Sequence, residues 1–311
     1  MALIVGFVVA VVASPIAARL ATRLGLVAHP GPLKVHTRPV PYLGGVAVLV
    51  ALAAPMAGVR PSLLVPLALA GALGIADDAT DLPPVLRLVV EVAIGLTAAW
   101  VVAPHDAAHV ALGALVVLVL VNAVNLLDGL DGLAAGVAAA GALGFFVVCS
   151  GAPATFGLAL AGALAGFVVW NAPPARIYLG DGGSYLIGTA LAMLLVAASQ
   201  RHAAVASGAV LFVGVPVADT AVAIVRRVRA RTPLLRGDRG HVYDQLVDRG
   251  WSSKLTVVAC VAAQAALTGA GIGIAVLTGG VAVGVAAAIV TVLGAAAIFA
   301  FTSPRTWTSD R

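Results

Sequence analysis

Apolar runs of close to bilayer-crossing length recur along this chain. They lie near residues 2–19, 43–59, 62–76, 85–103, 107–121, 133–149, 154–170, 184–198, 203–225, 256–277 and 281–301. Within lipid no water can satisfy a backbone N–H or C=O, so a spanning run must close its own hydrogen bonds, as an α-helix of roughly 20 residues does. Composition agrees: 61% of residues are hydrophobic and only 10% charged, with mean hydropathy +1.09, far from the balance of a soluble domain. The pattern predicts an all-α polytopic helical bundle of about ten or eleven transmembrane helices. Residues 1–311 form one membrane-embedded domain on this reading, with no stretch left for a separate soluble one.

The 35 glycines and the many alanines suit close helix–helix approach, which lipid does not drive by any hydrophobic effect. Cys149 and Cys260 lie inside apolar runs, where thiols act as small hydrophobes, so no disulfide is expected. The first run lacks a basic residue before it and is followed by Arg19 and Arg23, which argues for a retained helix with the N-terminus outside.

Alternating the runs from that start puts 20–42, 77–84, 122–132, 171–183, 226–255 and the tail after 301 in the cytoplasm. Arg60 and Arg201 are then the only basic residues outside, and the other 16 of the 18 Lys and Arg are inside or at inner helix ends. The net charge of +5 reflects this topology and contact with anionic membrane lipid, and does not imply nucleic acid.

Most of the acidic residues fall on the same inner side. Ionisable groups near membrane depth are costly and mark sites or pathways more often than they decorate a surface. The first inner loop, Lys34-Val-His-Thr-Arg-Pro-Val-Pro-Tyr-Leu-Gly-Gly45, offers Lys34, His36 and Arg38 to a lipid phosphate or nucleotide, or is an ordinary positive-inside loop. Asp77-Asp78-x-x-Asp81 crowds carboxylates that repel unless a cation or a proton intervenes. Pro83 and Pro84 suit the start of the next helix, with Arg87 in its first turn and Glu91, the only glutamate, one turn further and without an evident role.

Asn122 and Asn125 share a helix face if the fifth helix continues, and Asp128 and Asp131 follow, each trailed by glycine. Asp131 could also cap the sixth helix. In Gly180-Asp181-Gly-Gly-Ser184 a single carboxylate precedes the eighth helix, which Ser184 could cap and whose first amides favour an anion. Such oxygen ligands suit Mg²⁺ carrying a phosphate. Pro216 should kink the ninth span, with Asp219 beyond it. In the last inner segment, Arg226, Arg227, Arg229 and Arg231 read as a membrane-surface stripe, while Arg236-Gly-Asp-Arg239-Gly-His241 suits a diphosphate.

Taken in order, Lys34-x-His36, Pro39-x-Pro41-x-x-Gly44-Gly45, Asp77-Asp78-x-x-Asp81, Asn122-Ala-x-Asn125-x-x-Asp128-Gly-Leu-Asp131-Gly, Gly180-Asp181-x-Gly183-Ser184, Pro216-x-x-Asp219 and Asp238-Arg239-x-His241 resemble the polyprenyl-phosphate N-acetylhexosamine-1-phosphate transferases, the MraY/WecA/TagO-like glycosyltransferase family 4. The resemblance runs from residue 34 to about 250. It implies a multi-pass enzyme of the bacterial inner membrane that uses Mg²⁺ to move a sugar 1-phosphate from a UDP-N-acetylhexosamine to undecaprenyl or another polyprenyl phosphate, releasing UMP. The product would open a cell-envelope glycan, and a homodimer is left open.

Carried onto matching positions, Asp181 resembles the principal metal ligand and Asn125 a second. Asp77 and Asp78 resemble the base or lipid-phosphate organiser, and Asp131 the residue meeting uracil. Arg239 and His241 resemble a diphosphate clamp, and Arg87 a basic position after the Asp pair. Lys34, His36, Asn122 and Asp128 complete the expected substrate-binding set. The chain departs from the family after His241, where further histidines are usual and Val242, Tyr243 and Asp244 stand instead; this points away from the muramoyl-pentapeptide branch and towards a UDP-N-acetylglucosamine donor.

Two other classes fit part of the pattern. The Asp77-Asp78-x-x-Asp81 motif also resembles that of Mg²⁺-dependent membrane prenyltransferases acting on an isoprenyl diphosphate, which leaves Asp181 and the Arg239/His241 loop unexplained. An ion-coupled transporter would place its carboxylates near the midplane between repeats, whereas no internal repeat is visible and the polar motifs cluster on one side.

Overall fold

The computed structural model describes residues 1–28, 39–102, 106–233 and 240–277. In chain order these form helix α1 (Ala2–Leu24), the short strands β1 (Val27–Ala28) and β2 (Val40–Pro41), then α2 (Gly44–Met56), α3 (Leu64–Thr80), α4 (Pro84–Val102) and α5 (Ala107–Leu127). They continue as α6 (Leu133–Val148), α7 (Gly151–Asn171), α8 (Gly180–Ser199), α9 (Ala203–Val210), α10 (Gly214–Ala230), α11 (Val242–Asp248) and α12 (Ser253–Leu277). Among the described residues, eight helical stretches are long and apolar enough to cross a membrane, with α9 and α10 counted as one, and α2 and α6 are shorter apolar helices. These account for ten of the eleven apolar runs; the run at 281–301 lies outside the described residues. The protein is a multi-pass helical membrane bundle.

On the first helix small residues make the contacts and large ones face outward. On α1, Gly6, Ala10, Ser14, Ala17 and Ala21 are buried, while Ile4, Val8, Val12 and Ile16 are exposed at helical spacing, as lipid requires. The buried face lies on α7, where a Cβ at Gly162 or Gly166 would collide with the α1 backbone. At the centre stands α8, 83% buried over its most apolar stretch and packed against α2, α3, α4, α5, α6, α7 and α9.

Several local expectations change. The third run continues to Thr80, which places Asp77 and Asp78 in the last turn of α3, and the fifth continues to Leu127, which puts both asparagines on α5. Helix α8 begins at Gly180, four residues early, so Asp181 lies in its first turn and Ser184 does not cap it. Nor does Asp131 cap α6: Gly132 holds that position at φ 79°, and its N–H is taken by the Asn171 Oδ1 on α7, 2.9 Å away.

The ninth run is broken rather than bent, by a 3₁₀ turn at Leu211–Val213. Pro216 has no N–H to give to the preceding turn, and the loosened backbone is repaired from α12. There Gln264 accepts from Val215 N at 3.0 Å and donates to Leu211 O at 2.9 Å. The arginine stripe is also divided, for Arg229 and Arg231 are exposed, whereas Arg227 is buried and Arg226 lies against Gly240.

Candidate active site

The ends of helices that alternate in direction bring the polar motifs together at one end of the bundle. The C-terminal end of α3 and that of α5 meet the N-terminal end of α8. What permits the first contact is Gly74, because any Cβ there would overlap the backbone of Asp181 and Gly182. The base of the first loop is fastened to the same place: Tyr178 N donates to Pro41 O at 2.8 Å, Gly44 N to Tyr178 O at 2.9 Å and Gly45 N to Leu179 O at 3.2 Å. The paired glycines at 44 and 45 thus serve the close approach expected of them.

On α5, Asn125 Nδ2 donates to Asp181 Oδ1 at 2.9 Å and to Ser184 Oγ at 3.2 Å. Asp78 is half-buried beside them, its Oδ2 accepting from Gly182 N at 3.4 Å. Asp128 closes α5 next to this group, and its carboxyl is held well above the usual range, first by burial and then by the negative charges of Asp181, Asp78 and Asp131. The same charges act on the phenols nearby: burial, Asp131 and Asp128 push Tyr178 up to about 12, and burial with Asp78 raises Tyr42. Asp131 accepts from Ala175 N at 2.8 Å, which ties the 128–132 turn to the segment leading into α8.

Asp77 is occupied differently. Its Oδ1 accepts from Leu82 N at 3.0 Å, and its Oδ2 receives Tyr185 Oη at 2.5 Å and Arg87 Nη1 at 3.3 Å. With both oxygens engaged by the protein, Asp77 anchors the α3–α4 turn and α8, and Asp78 is the more open of the pair. Asp81 is exposed and set apart as the left-handed C-cap of α3 at φ 52°.

Asn122 shares the α5 face with Asn125 but meets another helix, donating to Glu91 Oε2 on α4 at 2.6 Å. Across the bundle end, His241 Nδ1 is 2.7 Å from Asp219 Oδ2, and Val242 N donates to Asp219 Oδ1 at 2.7 Å, so Asp219 fastens the start of α11. The His241 ring is 3% exposed and stacks on Tyr243 at 5.5 Å between centroids. Tyr243 Oη in turn donates to Leu126 O at 3.0 Å, bringing α11 to the turn that holds Asp128. Lys34, His36 and Arg239 lie outside the described residues.

Tyr185, Asp219 and Tyr243 are thus added to the expected set. Tyr185 sits in an apolar run and carries no sequence signal of its partner. Asp219 was visible as an acid beyond Pro216, but its pairing with a residue 22 positions on was not.

Among the described residues no three His, Cys, Asp or Glu side chains form a metal cage. A hard cation that keeps several waters and binds through one or two side chains and a phosphate does not need one. The donor set of Asp181, Asn125 Oδ1 and Asp78, with the carboxyl of Asp128 close enough to feel their charge, suits such an ion.

Fold and site define a multi-pass membrane protein with an acidic, amide-lined centre at one end of its bundle. The sequence model of the family described as "Glycosyl transferase family 4" matches residues 61–199, which contain the Asp77/Asp78, Asn122/Asn125 and Asp181 segments. The chain is also 28% identical over 284 aligned positions to the Bacillus subtilis (strain 168) "Probable undecaprenyl-phosphate N-acetylglucosaminyl 1-phosphate transferase", with 83% of this chain and 79% of that protein covered. Both comparisons support a membrane transferase similar to glycosyl transferase family 4.

Proposed function

We propose that this protein is a Mg²⁺-dependent phosphoglycosyl transferase of the bacterial plasma membrane, with the described polar end cytoplasmic. It moves N-acetylglucosamine 1-phosphate from its UDP donor to undecaprenyl or another polyprenyl phosphate. The observation that carries this reading is the meeting of Asn125 and Asp181 across α5 and α8, with Asp78, Asp128 and Arg87 around them. The name of the Bacillus subtilis relative supports the acceptor and the transferred sugar phosphate, and the absence of a histidine run after His241 supports N-acetylglucosamine.

An oxygen of the lipid phosphate attacks the phosphorus that carries the sugar. The bridging bond to the second phosphorus breaks, and UMP leaves with its electron pair. The acceptor is already ionised near neutrality, so no base is needed to generate it. Two anions must approach, and positive charge has to offset their repulsion. Asp181 and Asn125, with Asp78 beside them, would hold Mg²⁺, whose contribution when bound is to neutralise the diphosphate and polarise the reacting phosphorus.

Arg87, fixed on Asp77, adds a guanidinium suited to phosphate oxygens. Asp131 is assigned to the uracil, Asp128 and Asn122 to the surrounding substrate contacts, and Lys34 and His36 to the lipid phosphate. Arg239 is assigned to the diphosphate, and the Asp219–His241 pair secures the start of α11 two residues further on.

The test is to incubate purified protein with Mg²⁺, undecaprenyl phosphate and a panel of UDP-sugars and to measure UMP. UMP from UDP-N-acetylglucosamine, abolished by chelator, is expected. Silence with every UDP-sugar, or pyrophosphate from an isoprenyl diphosphate in its place, would overturn the assignment.

A further inference from the structure

The only glutamate of the chain is placed where a carboxylate costs most. Glu91 lies inside the α4 span and is 1% exposed. An isolated charge there is strongly disfavoured, and even a paired one gains little stability over apolar residues of the same volume. Its surroundings state what it does instead. Oε2 accepts from Asn122 Nδ2 at 2.6 Å, and Oε1 is 3.5 Å from Arg87 Nε, one helical turn away, an ion-pair contact in which neither atom makes a hydrogen bond among the described residues. Leu73, Ile94 and Val121 wall the small cavity beneath it, and Thr189 Oγ1, on the same cavity, has no hydrogen-bond partner among the described residues.

Arg87 therefore stands between two carboxylates on different helices, Glu91 behind it and Asp77 of α3 beside it at 3.3 Å. Its side chain is 26% exposed, against 1% for Glu91, so the guanidinium is the part of the network that faces outward. A long cationic side chain free to turn would lose this aim, since its rotamer freedom is large. Asn122 is held from the same carboxylate and also donates to Leu118 O at 2.9 Å, which leaves it no spare N–H.

We infer that Glu91 is a positioning residue. From within the span it fixes Arg87 and Asn122 beneath the acidic centre, so that the guanidinium is oriented before the phosphates arrive. Glu91 is too enclosed to touch substrate and acts through Arg87. The kinetic part of the inference rests on the transfer reaction proposed above.

The experiment is a double-mutant cycle on the purified full-length protein, using Glu91→Gln, Arg87→Ala and the pair, with UMP release and thermal unfolding in detergent both measured. Glutamine keeps an acceptor for Asn122 and removes the charge that attracts Arg87. Glu91→Gln should lower kcat by about tenfold, with KM for the UDP-sugar within about twofold, as expected when a group aiming a reacting residue is lost. In the Arg87→Ala background the same change should cost less than about twofold, because its route of action is gone.

Independent, multiplying losses, or an unchanged kcat per folded molecule in Glu91→Gln, would overturn the inference. If Glu91→Gln does not fold, Glu91→Asp, which keeps the charge and retracts it by one methylene, enters the same cycle with the same expectations. A wild-type protein that releases no UMP sinks the reaction and not the pairing. The pairing is then judged from unfolding temperatures, where additive shifts from the two single changes would refute it.

Discussion

Replacing Gly74 by alanine tests whether the closeness of α3 and α8 is what makes the site. The added methyl would overlap the carbonyl carbon and oxygen of Asp181 and the amide nitrogen of Gly182, all backbone atoms that cannot turn aside. Ordinary contact begins at 3.4 Å, so the two helices must part by about 1 Å at this level. Asp77 and Asp78 lie one turn further along α3 and travel with it, away from Asp181. A displacement of that size between reacting groups costs on the order of 100-fold, about 2.7 kcal/mol of barrier. Overpacking itself costs about 1–3 kcal/mol of stability.

Turnover should be followed as UMP release per folded molecule, with thermal unfolding measured in parallel. Gly58→Ala is the control, since nothing lies within 4 Å of a Cβ there. It should leave both readouts within error. A Gly74→Ala protein with wild-type kcat would show that the helices tolerate separation, and would refute the claim that their contact sets the carboxylate geometry.

Further outcomes follow from other contacts. Asp181→Asn should remove Mg²⁺-dependent turnover by about 10³-fold or more, seen as a flat response in a Mg²⁺ titration, since it takes a charge from the proposed metal site. Gln264→Leu leaves Val215 N and Leu211 O without their partner, and each should cost about 1–3 kcal/mol in thermal stability while kcat per folded molecule is kept. Asp128 carries a pH signature, because a carboxyl held above its usual range keeps a proton that the unfolded chain releases. Its contribution to stability is present below the ordinary carboxylate range and is lost as pH rises through the raised value. In chelator, Asp128→Asn should thus bring no gain near about pH 4 and a growing gain towards about pH 8; a gain independent of pH in thermal unfolding would contradict this.

Where a property belonged to one helix it was legible in the sequence. Bilayer-length apolar runs, Pro84 opening α4 and the shared face of Asn122 and Asn125 all follow from local length, sterics and helical period. What escaped depends on partners distant in the chain. Ser184 looked like a cap because the glycines before it suggested a loop, yet contacts with α2 and α3 hold Gly180–Gly183 helical. Arg227 sits among basic neighbours that suit the membrane surface, and only the packing of α10 turns it inward. Glu91 had no role until α5 brought Asn122 against it, 31 residues away in sequence. Apolar periodicity reveals which faces are buried and is silent about which polar groups then meet.

The adjacent acids at the end of α3 show what a helix does to identical neighbours. Successive side chains diverge by about 100°, so a doublet cannot present both members to the same surroundings. One becomes a rivet, saturated by Tyr185, Arg87 and Leu82, and the other stays available as a tool. Equal chemistry written twice therefore yields a division of labour, and exchanging either aspartate for asparagine should injure two different things: the framework in one case, the reaction in the other.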